Sequence, residues 1–143
     1  MKKCLLIFAL FAGLATRAQE IQLTVIANQV GAPANLNAGE LVAIFMGNKP
    51  TWANGEKVQL ALMKTSTAQG LATCSKVFHT DADNMKKYWL TTSFSGKTAP
   101  VFFNTAAEIK EFLVNNRGAI GILEATEPSP GTRTVLIDGK KSF

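Results

Sequence analysis

The sequence predicts an α/β fold, a small mixed sheet flanked by helices, and three observations carry that reading. Segments of alternating or β-branched character recur between segments with helical apolar spacing, from Ile21 to Ile137. Two of the helical segments open on a capping box, Asn37 with Glu40 and Thr105 with Glu108. Ala119-Ile120-Gly121-Ile122-Leu123 is a short apolar run flanked by glycine and reads as a buried strand.

The chain opens with a secretory leader pattern. Met1-Lys2-Lys3 is a positive start, Cys4 to Leu14 is an apolar run of eleven residues, and Ala15-Thr16-Arg17-Ala18 supplies the small residues that a signal peptidase prefers. The run is shorter than the roughly 20 residues needed to span a bilayer, so residues 1–18 are expected to be removed, leaving no stable membrane insertion and a periplasmic or secreted product. No cysteine stands just after the apolar run, so no lipid anchor is expected. Cys74 is then the one remaining cysteine. It reads as a buried, inert helix residue, with an intermolecular disulfide as the alternative.

Ile21 to Ala27 alternates and is the first strand; Asn28 to Asn37 is a loop, and Asn37 caps a short helix whose apolar face is Leu41, Ile44 and Phe45 and which Gly47 closes. Lys49 to Gly55 is turn chemistry, with Asn54-Gly55 suited to positive φ. Lys57 to Met63 forms the second strand, and Lys64 to Thr67 is a polar loop leading into a helix over 68–78, in whose first turn Gly70 is unfavourable. Asp81 or Asp83 caps a helix to Leu90; Thr91 to Pro100 reads as a loop containing Ser95-Gly96-Lys97. Thr105 caps the helix Ala106 to Asn115, which Gly118 ends. The strand at Ala119 follows, then a turn over Glu127 to Gly131, a last strand from Thr132 to Ile137, and a turn at Asp138-Gly139.

The 143 residues, 47% apolar and 17% charged, suit one folded domain after the leader, residues 19–143, and exclude a chain kept unfolded by its charge. Three of the 15 basic residues, Lys2, Lys3 and Arg17, lie in the leader, so 12 remain against 10 acidic ones, a net charge of about +2. The basic residues form no run longer than the pairs Lys86-Lys87 and Lys140-Lys141, which argues against nucleic acid. His79 is the only histidine, and Asp81 and Asp83 beside it are explained as caps, so no metal or cofactor is expected. No nucleophile elbow or Gly-rich phosphate loop occurs, and no catalytic residue is assigned. Trp52, Trp89 and the pair Phe102-Phe103 read as packing residues, with a groove lining as the alternative.

Read in order, Val25-Ile26-Ala27-Asn28, Leu41 to Gly47, Thr51-Trp52-Ala53-Asn54-Gly55, Tyr88-Trp89 and Arg117-Gly118-Ala119-Ile120-Gly121 resemble the periplasmic phosphate-binding protein family of type II solute receptors. The resemblance implies one lobe of such a receptor, since full receptors have about twice this length and close two lobes on the ligand. It implies a non-enzymatic binding module of the kind that serves ABC transporters, with a small anion or polar solute as partner and a second lobe or partner chain to complete the cleft.

The family's ligand loop, approximately Arg-Ser-Asp-x-Ser-Gly-Thr at a helix start, corresponds to Met63 to Gly70. Lys64, Thr65, Ser66 and Thr67 keep basic and hydroxyl donors where a helix dipole also favours an anion. The Arg and Asp of the family loop are missing, so phosphate specificity is not carried over. The expected function is therefore weak binding of phosphate or another oxyanion at Lys64, Thr65, Ser66 and Thr67. The alternative is an interaction or scaffold protein that keeps the lobe without a ligand, marked by an exposed apolar patch around Trp52 or the Phe pair.

Overall fold

The computed structural model describes residues 20–143; the expected leader and its cleavage site lie outside the described residues. Six strands and four helices follow in the order β1 (Leu23–Asn28), β2 (Asn35–Leu36), α1 (Ala38–Phe45), β3 (Gln59–Met63), α2 (Ala68–Lys76), α3 (Ala82–Ser93), β4 (Val101–Phe103), α4 (Ala106–Asn115), β5 (Ala119–Glu124) and β6 (Thr132–Ile137). The strands make one mixed sheet in the order β2-β6-β1-β5-β3-β4. β1 runs antiparallel to both β5 and β6, whereas β3 is parallel to β5 and β4.

Every residue of β1 is buried, because both faces of the sheet's centre are covered. Leu23, Val25, Leu60, Leu62, Ile120 and Ile122 share one core with Leu41, Ile44 and Phe45 of α1, Cys74 of α2, and Met85 and Trp89 of α3. Alternate residues of the same strands, Ile26, Ala61, Met63 and Leu123, meet Ile109 and Leu113 of α4 in a second core. Three helices thus lie over one face and α4 over the other.

Local chemistry sets the helix starts as read from the sequence. Asn37 and Glu40 form the reciprocal capping box of α1, with Glu40 N–H donating to Asn37 Oδ1 at 2.8 Å. Thr105 caps α4, although Glu108 reaches back to Asn104 N rather than to Thr105 N. Asp81, not Asp83, caps α3.

Three stretches differ from the sequence reading. α3 runs on to Ser93, because the hydroxyls of Thr91 and Thr92 donate to the carbonyls of Lys87 and Tyr88 within the helix and Thr92 is buried. Val101–Phe103 is a strand, held by parallel pairing to Ala61–Met63. The loop after β1 contains the two-residue strand β2, paired to the end of β6.

The Trp52 turn anchors the far end of the site's sheet. Trp52 is 3% exposed, and its Nε1 donates to the Gly118 carbonyl at 2.8 Å just before β5. Gly118 has φ +81°, and a Cβ there would collide with the Lys57 carbonyl oxygen, so glycine is required where the two chain segments meet.

Candidate anion site

The loop between β3 and α2 is tied down at both ends. Lys64 N–H donates to the Phe103 carbonyl at 2.9 Å, continuing the β3–β4 pairing by one residue. The Lys64 carbonyl then accepts from Thr67 N at 2.9 Å and from Thr67 Oγ1 at 2.6 Å. Thr67 is the N-cap of α2, and its Oγ1 accepts from Gly70 N at 2.9 Å.

Gly70 belongs to this arrangement. Its missing Cβ would fall on the Lys64 carbonyl oxygen, so the residue that weakens the helix by propensity is the one that lets the helix start close under the loop.

These bonds divide the four predicted site residues. The Thr67 hydroxyl is engaged inside the protein as both donor and acceptor. Lys64, Thr65 and Ser66 line a cavity of about 510 Å³ between the loop, α3 and the chain entering β4. The remaining lining comes from Lys86, Trp89, Leu90 and Ser93 of α3 and from Ala99, Pro100 and Phe102. The side-chain donors of Lys64, Thr65 and Ser66 have no partner among the described residues, and no carboxylate lines the cavity. Among the described residues the ion pairs are Lys76 with Glu20 and Arg117 with Glu56, so Lys64 and Lys86 both line the cavity without an ion-pair partner.

The sequence gives no sign of Lys86, and it offers groove lining by Trp89 and Phe102 only as the alternative to packing; both line the cavity. Lys86 lies one turn before Leu90 on α3, and only the crossover from α2 through α3 to β4 brings that face to the Lys64 loop. Trp89 is 6% exposed and packs edge-on against Phe102, with ring centroids 5.0 Å apart, and against Phe78 at 5.7 Å. Its Nε1 is buried without a hydrogen-bond partner among the described residues. Phe103 points to the other face and packs on Phe112 at 5.2 Å.

The other singled-out groups have structural work. Cys74 is buried and unpaired, and burial raises its thiol pKa, with the charge of Asp81 adding to the effect. His79 sits past the end of α2 at φ +52° while its neighbour Asp81 accepts from Asn84 N as a cap. Ser95 Oγ donates to the Thr92 carbonyl at 2.9 Å and closes the turn after α3.

Neither a family model nor a curated protein matches this sequence. Solved structures do match it. An ABC-type phosphate transport receptor from Vibrio cholerae superposes with a TM-score of 0.65 over 86% of this chain and 49% of the receptor, at 14% identity. The described chain shares the fold of about half of that receptor. A protein from Clostridium perfringens, assigned as a phosphate ABC transporter substrate-binding protein and solved with phosphate bound, gives 0.64 over 84% of this chain and 47% of its own, at 12% identity. The chain therefore spans about half the length of the phosphate-type receptors it matches.

Proposed function

We propose that residues 19–143 form an exported, non-catalytic binding module of the phosphate-receptor type, holding an anion at the loop Lys64, Thr65, Ser66 and Thr67. The observation that carries the reading is the meeting of two lysines without ion-pair partners and two hydroxyls on one cavity without a carboxylate, in the loop that leads into α2. In this reading Lys64, Thr65 and Ser66 donate to the ligand, Lys86 adds charge, and Thr67 holds the loop in shape. Export rests on the leader pattern of residues 1–18. A chain spanning half a receptor encloses less of a ligand than a closing pair of lobes, so binding by one copy is weak unless a partner chain completes the cleft.

Thermal unfolding against a panel of inorganic oxyanions tests this. A ligand that binds only the folded chain raises the melting temperature with the logarithm of its concentration above Kd. The expected result is a rise with at least one anion at millimolar concentration, lost in the Lys64→Ala, Ser66→Ala double variant. No rise with any anion overturns the reading.

A second reading has its own observation. Leu90, Phe94 and Val101 are 64%, 86% and 47% exposed around the edge strand β4, beside Phe102. An apolar surface at an open sheet edge favours an interaction module. Concentration-dependent self-association or partner capture without any anion effect would favour it.

A further inference from the structure

We propose that the anion held by this site carries an apolar body, an aryl or alkyl group, and is not a bare inorganic oxyanion. The inference rests on the anion-binding reading above and adds the chemistry of the ligand's other end.

Size is the first argument. The cavity of about 510 Å³ lies within the range of roughly 300–1,000 Å³ typical of organic ligands. A tetrahedral oxyanion occupies only a few water volumes of roughly 30 Å³ each. Polarity is the second. Hydrogen-bond donors come from the Lys64 loop and Lys86, while Trp89, Leu90, Pro100 and Phe102 supply apolar lining. An ionised oxygen pressed on that lining would lose water and gain no donor, which is costly. An aryl or alkyl group there would instead bury apolar surface on both partners.

The exposure pattern agrees. Leu90 is a large apolar residue left 64% exposed on the lining, and Phe94, one helical turn further, is 86% exposed. The charged end would then meet Lys64, Thr65 and Ser66, and the apolar end Trp89, Leu90 and Phe102.

Isothermal titration calorimetry with inorganic phosphate, phenyl phosphate, hexyl phosphate and neutral phenol tests the inference. At least one organic phosphate is expected to bind about tenfold or more tightly than inorganic phosphate, with a more negative heat-capacity change. Leu90→Ser, at a position 64% exposed, is expected to remove that advantage. Organic phosphates no tighter than inorganic phosphate overturn this inference and leave the anion reading standing; so does an advantage that survives Leu90→Ser, which places the apolar body elsewhere. Phenol binding as tightly as phenyl phosphate overturns both, and no binding by any of the four overturns this inference.

Discussion

The Thr67 hydroxyl donates to the Lys64 carbonyl oxygen at 2.6 Å, closing the loop whose outer side chains line the cavity. Thr67 Oγ1 also accepts from Gly70 N, so one hydroxyl both shapes the loop and caps α2. Thr67→Ala is expected to cost about 1 kcal/mol, the usual loss of an N-cap, and Thr67→Ser to keep most of it. Urea unfolding of the two variants checks this. Equal stability of Ala and wild type would mean that the cap does not hold the helix start.

Gly70→Ala sets two effects against each other. Helix propensity favours Ala by about 1 kcal/mol in a helix interior, whereas the added Cβ meets the Lys64 carbonyl oxygen, a backbone atom that cannot swing aside. The clash is expected to win. The variant should unfold at lower urea concentration than wild type, and a stabilised variant would show that the loop has room to move.

The two tryptophans should respond differently to Phe. Trp52→Phe removes one of the two hydrogen bonds to the Gly118 carbonyl, which keeps the one from Gln59 N at 3.2 Å, a loss of about 0.5–1.5 kcal/mol. Trp89→Phe removes an N–H that has no partner among the described residues, so its cost is limited to lost ring contact with Phe78 and Phe102. Chemical denaturation should rank Trp52→Phe as the more destabilised. The reverse order would overturn the assignment of Trp52 as the pin of the turn.

Cys74 gives a pH dependence of known sign. Burial raises its thiol pKa in the folded chain above the unfolded value, so the folded chain holds the proton more tightly. Its contribution to stability is complete below the ordinary thiol range and is lost as pH rises through that range toward the raised value. Stability measured from neutral to alkaline pH should fall by less in Cys74→Ser than in wild type over that window. A thiol reagent should label Cys74 slowly in native buffer and quickly in denaturant.

Much of the site's scaffold was legible because it is local. Asn37 with Glu40, and Thr105, announce helix starts through side chains three residues from the amides they accept from. The Lys64 loop was legible as a donor-rich helix start for the same reason. Its division of labour was not: Thr67 reads as one more hydroxyl until its two bonds are seen. Thr91 and Thr92 read as loop residues because threonine disfavours helices, and the structure overrides that weak preference by bonding both hydroxyls inside α3 and burying Thr92. β4 has three residues, too few for a period, and exists only because Ala61–Met63 lies beside it.

The sequence by itself determined the α/β class, the capped helices, the turns at Asn54-Gly55 and Asp138-Gly139, and the position of a donor-rich loop, since each depends on residues within one turn of chain. Tertiary structure decided the strand order, which sets β1 between the distant strands β5 and β6, and the wall opposite no local signal, where Lys86, Trp89 and Phe102 meet Lys64. The physical reason is that strand pairing and cavity lining are contacts between segments far apart in the chain, selected by which apolar faces must be buried together rather than by any short pattern.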